Sequence, residues 1–251
     1  MKSRPGDSRL ASSIGLIAVL VAVEAALPIT VARRAAIPSV RNESAGGAVI
    51  PPPIGRVSTD EAARSLARAR LRVGEVGTYI PEILLERDSA LVRWHDRPLR
   101  PVTVWVQSAP ALDDWNDAYV RSVADAFRTW DALGLPVRFR VVPDSIDAEV
   151  HVTWIDRFST PISGRTRWSR DDSWWIIDAS IVLAVHHQHG EVLDTSALRA
   201  MALHEIGHLL GLDHTSDRGS IMAPRVRVRD LAPMDGATIR LLYSVPAGTV
   251  R

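Results

Sequence analysis

Three histidines and one glutamate in the last quarter of the chain have the residue types and the spacing of a metal site. His204, Glu205 and His208 belong to the run His-Glu-Ile-Gly-His, and His214 follows six residues later. Histidines four residues apart on a helix project from one face, about 6 Å apart, so both rings can reach the same ion. Gly211 allows the helix to end and the chain to turn sharply, which lets His214 supply a third nitrogen.

This set of side chains predicts a hydrolytic zinc site. Three neutral imidazoles leave a fourth position for water, which is the arrangement of a catalytic rather than a structural zinc site. A water bound to zinc has a pKa lowered towards about 7. Glu205 stands next to the first ligand, where it can take a proton from that water and pass it to a leaving amine. The sequence therefore predicts one catalytic Zn²⁺ held by His204, His208 and His214, with Glu205 as the catalytic residue.

The absence of any later glutamate narrows the choice of third ligand. A competing zinc arrangement takes that ligand from a glutamate on a following helix, but no glutamate occurs after Glu205 in this sequence. His214 is therefore the remaining candidate for the third position.

The element that carries the first two histidines is predicted to be a buried helix. Asp194-Thr195-Ser196 can cap its start, and it reaches Leu210. Apolar residues cover most of its circumference, whereas a surface helix has only one apolar stripe. These residues are Leu198, Met201, Leu203, Ile206, Leu209 and Leu210.

Upstream of this helix the sequence alternates between strand and helix patterns. Apolar residues recur at every second position in several short segments, which predicts strands. A helix from Asp113-Asp114 to about Leu133 separates the first two strands, so these form a crossover unit and should be parallel. The predicted strands are residues 101–107, 137–141, 148–154, 163–168 and 175–184. The fourth is strongly basic, which favours an edge strand, with an irregular surface loop as the alternative.

Composition excludes several function classes. The 251 residues are 46% apolar and 24% charged, enough for one globular domain with appendages. The formal net charge is +1, and Lys2 is the only lysine, which argues against a nucleic-acid partner. Because the chain has no cysteine, disulfides, cysteine-based metal sites and thiol catalysis are excluded.

The first 32 residues resemble an export signal. Basic residues precede the apolar run Ile14–Val23, whose ten residues suit a signal peptide and fall short of the roughly 20 needed to span a bilayer. The alternative is an uncleaved membrane anchor that extends to Ala32, although Glu24 and Pro28 lie within it. Either way the protein is expected to be exported: secreted, periplasmic or membrane-tethered outside the cytoplasm.

Residues 33–96 are predicted to be a linker or a pro-segment. A stretch rich in proline, glycine and alanine ends in Pro51-Pro52-Pro53. Residues 60–73 could form a short polar helix. Residues 79–94 have apolar positions at helical spacing and could lead into the main domain or belong to the pro-segment.

The motif HExxHxxGxxH at residues 204–214 resembles the metzincin signature. The segment Ser220-Ile221-Met222-Ala223-Pro224 resembles the Met-turn that accompanies this signature. The amino-acid sequence of both segments is most similar to the matrixin branch. The resemblance covers about residues 97–245. It is very specific over residues 204–224 and diffuse elsewhere.

The resemblance implies an α/β (α+β) fold with a twisted five-stranded mixed sheet, two long helices and a small C-terminal subdomain containing a short helix. Residues 97–245 would form the catalytic domain and residues 246–251 a C-terminal tail. Met222 would pack beneath the three imidazoles without being a ligand. The basic edge strand would bind an extended peptide or protein substrate by strand addition. A monomer is expected, with no nucleic acid bound and with membrane contact only through an N-terminal anchor.

This sequence departs from the matrixin pattern in two respects. Animal matrixins often keep themselves latent with a pro-segment cysteine, which this chain does not have. Matrixins also commonly hold a structural zinc and calcium before the active-site helix. Only His186, His187, His189 and His151 remain as candidates here, and no acidic calcium loop is present. Neither a second zinc nor a calcium ion is therefore expected.

The leading functional expectation is an exported zinc endopeptidase that hydrolyses peptide bonds with metal-activated water and Glu205 as general base. Two alternatives stay open at this point. One is a binding module that retains zinc and recognises extended peptides without cleaving them. The other is a zinc hydrolase that acts on a cell-wall peptide amide by the same chemistry.

Overall fold

A computed structural model describes residues 59–250 of the chain. The predicted signal peptide or anchor at residues 1–32 and the first part of the predicted linker lie outside the described residues. The helices are α1 (Thr59–Gly74), α2 (Ile80–Glu86), α3 (Ala118–Asp131), α4 (Thr195–Leu209) and α5 (Pro233–Tyr243). The strands are β1 (Ala90–Leu91), β2 (Val102–Val106), β3 (Phe139–Val142), β4 (Val150–Ile155), β5 (Gly164–Arg170), β6 (Ile176–Ala184) and β7 (Gly248–Thr249).

Five of these strands form one mixed sheet in the order β3-β2-β4-β6-β5. The strands β2 and β3 flank α3 in sequence and are parallel, as a crossover connection requires. Further parallel pairs join β2 to β4 and β4 to β6. The basic strand β5 lies antiparallel to β6 at one edge. The predicted five-stranded mixed sheet with a basic edge strand is therefore confirmed.

Helix α3 packs against the sheet and against α4 through one apolar stripe. Tyr119, Val123, Phe127 and Trp130 are all buried, and the Trp130 indole N–H donates to the Leu203 carbonyl at 3.0 Å. This contact ties α3 to the middle of the helix that carries the histidines.

The predicted start of α3 at Asp113-Asp114 is wrong. Asp114 adopts a left-handed backbone conformation with φ 58°, so the helix cannot run through it. The helix begins at Ala118, whose N–H donates to the Asn116 side chain at 2.8 Å. Asp117 occupies the N-cap position without a side-chain hydrogen bond.

Helix α4 is the buried central helix predicted from its composition. Its N-cap is Asp194, whose carboxylate accepts the Ala197 N–H at 2.6 Å. From Ala200 to Leu209 every residue is buried. A helix enclosed on all sides holds its side chains in fixed positions, which suits a helix that carries a metal site.

The segment upstream of β2 belongs to the same hydrophobic core. Only residues 80–86 of the predicted 79–94 segment are helical, because Asp88 and Ser89 have φ values of 51° and 65° and turn the chain into β1. Strand β1 pairs antiparallel with β7, which lies in the predicted C-terminal tail. The apolar residues that this segment buries are Tyr79, Ile80, Ile83, Leu91, Val92 and Trp94.

Candidate metal centre and active site

The three histidines singled out by their spacing converge in the structure. One ring nitrogen of each can be chosen so that the three atoms lie within 4.8 Å of one another. His204 and His208 come from successive turns of α4, and their Nε2 atoms are 3.0 Å apart. His214 comes from the loop after α4, with its ring centroid 5.3 Å from that of His204 and 4.8 Å from that of His208.

Backbone carbonyl groups fix the tautomers of the two helical histidines. His204 Nδ1 lies 2.7 Å from the Ile221 oxygen, and His208 Nδ1 lies 2.9 Å from the Leu212 oxygen. Since a carbonyl can only accept, each Nδ1 must carry the hydrogen, which leaves a lone pair on each Nε2. Proteins usually orient a metal-binding imidazole in this way, by a hydrogen bond from the ring nitrogen that does not bind the metal.

The residues present fit a zinc ion. Two unprotonated Nε2 atoms that face each other at 3.0 Å repel unless a cation lies between them. Two nitrogens bound to one tetrahedral zinc at about 2.0–2.1 Å are about 3.3 Å apart, close to the observed separation. His214 Nε2 is buried and has no hydrogen-bond partner among residues 59–250. All three donors are nitrogens of neutral imidazoles, a ligand type that zinc favours.

Burial keeps the three imidazoles neutral. It lowers the pKa of His204 to about 3, with a further contribution from His214. The pKa of His208 is lowered well below its ordinary value by burial and by the two other histidines, and burial also lowers the pKa of His214. Neutral rings are the forms that bind a metal ion, so the site is ready to bind at neutral pH.

The segment that follows His214 packs against the histidine helix and orients the His204 ring. Asp235 on α5 accepts hydrogen bonds from the Ser220 hydroxyl and, at 3.1 Å, from the Ile221 N–H. Ile221 is the residue whose carbonyl holds His204. A methyl group added at Gly207 would overlap the Met222 sulfur, so Met222 packs directly against the histidine helix. Sequence reasoning missed Asp235, because nothing local marks one aspartate on an amphipathic helix as buried.

Glu205 is fully buried and faces the edge strand. The Thr166 hydroxyl on β5 donates to Glu205 Oε2 at 2.6 Å, and Oε1 has no hydrogen-bond partner among the described residues. A methyl group at Gly164 would overlap Oε1, so the strand approaches this closely only because residue 164 is glycine. Burial raises the pKa of Glu205 to about 8, against the opposing effects of Thr166 and Arg165.

Neither Thr166 nor Gly164 was predicted as a site residue. A threonine or a glycine in a short basic strand carries no local signal of a contact with Glu205, which lies 39 residues beyond Thr166 in the chain.

The histidines considered for a second metal have other surroundings. His186 lies between two carboxylates, with Nε2 3.0 Å from Asp114 and Nδ1 2.7 Å from Asp156. His151 Nε2 is 2.9 Å from the Ser145 oxygen, and His187 Nδ1 is 3.1 Å from the Ser163 hydroxyl. Within residues 59–250 the only group of three or more potential ligands that could share an ion is His204, His208 and His214.

Comparison with protein families agrees with this geometry. Residues 157–244 match the family model of the matrixins, and this range includes the edge strand, α4, all three converging histidines and α5. The chain contains a matrixin-like metzincin domain. The resemblance inferred from HExxHxxGxxH and the Met-turn segment is thereby confirmed. Of the elements just described, the matched range contains β5, β6, the histidine helix α4 and the C-terminal helix α5.

Three curated relatives show how far the similarity of the matrixin domain extends. Metalloendoproteinase 1 of Glycine max is 36% identical over 89 residues, which are 34% of this chain and 27% of the relative. Metalloendoproteinase 2-MMP of Arabidopsis thaliana is 34% identical over 161 residues, covering 58% and 39%. Matrix metalloproteinase-C of Caenorhabditis elegans is 24% identical over 174 residues, covering 62% and 28%. The chain therefore spans well under half the length of these relatives.

Proposed function

We propose that this chain is a zinc-dependent endopeptidase that hydrolyses peptide bonds in extended peptides or proteins. The observation that carries the proposal is the convergence of three neutral imidazoles beside a buried carboxylate on a matrixin-like scaffold. The names of the relatives, metalloendoproteinases and a matrix metalloproteinase, support the same activity.

In this proposal His204, His208 and His214 are the protein ligands of one zinc ion. When bound, zinc supplies a Lewis acid that polarises a peptide carbonyl and lowers the pKa of a coordinated water. The carbonyl groups of Ile221 and Leu212 hold the first two rings in the tautomer that leaves Nε2 free. The chain therefore provides the ligand orientation before any ion arrives.

Glu205 is proposed as the general base and proton carrier. Glu205 directly follows the first proposed ligand, and burial raises its pKa, which favours taking a proton from a coordinated water and later passing it to a leaving amine. The hydrogen bond from Thr166 holds Oε2, and Oε1 is the oxygen left to take the proton. Thr166 is thus a positioning residue for the base.

The edge strand β5 is the proposed binding surface for substrate. It pairs on one side with β6, and within residues 59–250 no strand of the sheet pairs with its other side. An extended peptide can add there as a further strand through backbone hydrogen bonds. Because Thr166 and Gly164 lie on this strand and contact Glu205, a peptide bound along it runs next to the catalytic carboxylate.

Export and domain roles complete the proposal. Residues 1–32 are proposed as a signal peptide or anchor that directs the protein out of the cytoplasm. Residues 33–58, the part of the predicted linker or pro-segment (residues 33–96) that lies outside the described residues, are proposed as a linker or pro-segment. Among the helices that the structure describes, none combines the length and apolar character needed to cross a membrane. The protein is proposed to act as a monomer with one catalytic zinc.

Cleavage of a mixed peptide library tests the proposed function. The full chain should cleave library peptides, and a metal chelator should abolish cleavage until zinc is restored. Glu205→Gln should retain zinc while losing about 10²–10⁴-fold in turnover, the usual contribution of a general base. Zinc retention without chelator-sensitive cleavage would instead identify a peptide-binding module. Cleavage confined to cell-wall peptides would identify the amide hydrolase alternative.

A further inference from the structure

The segment from Glu82 to Trp94 runs across the C-terminal end of α4 and the loop that carries His214. We call this segment the upstream strap. It contains the end of α2, the turn at Asp88 and Ser89, and β1. It precedes the matrixin match, which begins at residue 157. Two of its polar side chains, Glu82 and Arg87, contact the residues on either side of His214.

Arg87 binds the loop immediately before His214. Its guanidinium donates to the Gly211 carbonyl at 3.1 Å and to the Asp213 carboxylate at 2.9 Å, and its Nε forms an ion pair with the second oxygen of Asp213. Both side chains of the pair are only 11% exposed. A two-point guanidinium–carboxylate contact of this kind fixes orientation as well as distance.

Glu82 binds the residues immediately after His214. One carboxylate oxygen accepts the Thr215 hydroxyl at 2.9 Å, and the other accepts the Ser216 backbone N–H at 2.7 Å. The neighbours of His214 on both sides are therefore held by the strap. These contacts span more than 120 residues of sequence.

The backbone of the strap also packs directly against the turn where α4 ends. Gly211 has φ 103°, and a methyl group at this position would overlap the Val92 carbonyl oxygen. The Trp94 indole N–H donates to the Leu209 carbonyl, one of the last carbonyls of α4, at 3.0 Å. The strap thus lies against the turn that redirects the chain towards His214.

We propose that the upstream strap positions the third zinc ligand, with Arg87 and Glu82 as the positioning residues. The inference rests on the proposed function, in which His214 is that ligand. His204 and His208 lie on a rigid helix, and each ring is oriented by a carbonyl group, that of Ile221 for His204 and that of Leu212 for His208. His214 lies in a loop, and its Nε2 has no partner among residues 59–250. The position of its ring therefore depends on what holds the loop.

Fixing this loop in advance should strengthen metal binding. A loop that is ordered only when the ion arrives loses conformational freedom at that step, which weakens the observed affinity. With the strap in place, that freedom is lost when the chain folds. Groups that orient metal ligands from outside the coordination sphere typically contribute 10–100-fold to metal affinity.

The test compares Arg87→Gln with Arg97→Gln in the full chain. Arg97 makes an equivalent two-point contact with Glu149, at 2.7 and 3.0 Å and with 14% and 25% exposure, but Glu149 directly precedes β4 and is not part of the His214 loop. Zinc dissociation constants are measured by competition with a chromophoric chelator, and unfolding of the metal-free proteins is measured in urea. Arg87→Gln should raise the zinc dissociation constant roughly 10-fold or more, whereas Arg97→Gln should leave it within about twofold of wild type.

Glu82→Gln and Arg87→Lys keep the test decisive if Arg87→Gln does not fold. Glu82→Gln should weaken zinc binding in the same direction, and Arg87→Lys should restore part of the affinity because it keeps the charge but not the two-point geometry. Equal zinc affinity in the Arg87, Glu82 and Arg97 variants, with the wild type binding one zinc, would overturn the strap inference alone. A wild-type chain that binds no zinc would overturn the proposed function as well.

Discussion

The hydroxyl group of Thr166 is the side-chain partner of the Glu205 carboxylate. It donates at 2.6 Å to one oxygen of a fully buried acid, where water cannot replace it easily. A hydrogen bond to a charged group is worth about 1.5–3 kcal/mol. If this bond positions the base, its loss should affect turnover more than metal binding.

Thr166→Val should therefore lower kcat by roughly 10–100-fold with zinc content unchanged. Valine has nearly the shape of threonine but no hydroxyl, so the packing between β5 and α4 is retained. Thr166→Ser is the matched variant and should keep most of the activity. Equal kcat values for the valine and serine variants would show that the hydroxyl does not position Glu205.

At the scale of single residues, the sequence could predict only the site residues that local chain geometry brings together. His204 and His208 are four residues apart on a helix, and helix geometry alone brings them together. The glycine turn after the helix predicts that the chain brings His214 back towards them. Thr166, Arg87 and Glu82 could not be foreseen, because each reaches the site from 39 to 133 residues away and no periodicity marks it.

At the scale of elements, the end of α4 depends on a backbone contact. Gly211 and Gly134 both have positive φ values, 103° and 72°, and each follows the end of a long helix. Only Gly211 is pressed against another chain segment, because a methyl group there would overlap the Val92 oxygen. A methyl group at Gly134 would meet nothing within 4 Å. Substitutions at the two positions therefore distinguish the cost of a left-handed backbone conformation from the cost of steric overlap.

Gly134→Ala should reduce the free energy of unfolding by about 1–2 kcal/mol, the usual cost of a left-handed conformation for a residue with a Cβ. Gly211→Ala should lose a further ~1–3 kcal/mol from overlap and should also weaken zinc binding. Urea unfolding of the metal-free proteins measures both changes. Similar losses for the two variants would contradict a tight contact between the strap and the end of α4.

The elements differ in how well the sequence predicted them. The strands β2 and β4 alternate buried and partly exposed residues, and α4 is apolar all round, so periodicity identified them. The start of α3 was misplaced because two acidic residues suit an N-cap by type, whereas the backbone at Asp114 is left-handed. The helical spacing of residues 79–94 concealed the turn at Asp88 and Ser89, neither of which is a glycine.

At the scale of the whole molecule, we propose that the folding unit begins upstream of residue 97. Tyr79, Ile83, Leu91 and Trp94 are almost completely buried in the core that also contains α3, α4 and α5. Burying one such side chain contributes about 1.5–3 kcal/mol, so removing these four costs about 6–12 kcal/mol, which is comparable with the whole stability margin of a domain. The family model could not reveal this dependence, since its match starts at residue 157.

A chain that begins at residue 97 should therefore fail to unfold cooperatively, whereas one that begins at residue 59 should fold and bind zinc. Urea unfolding followed by near-UV circular dichroism measures this difference. Full stability of the shorter chain would show that the upstream segment is dispensable for folding.

The central claim, that one zinc ion joins all three histidines, is tested most directly by crystallography of the full chain at the zinc absorption edge. The account predicts one anomalous difference peak at about 2.0–2.1 Å from a ring nitrogen of each of His204, His208 and His214. A zinc-loaded crystal whose peak lies away from these residues, or contacts fewer than three of them, would contradict it.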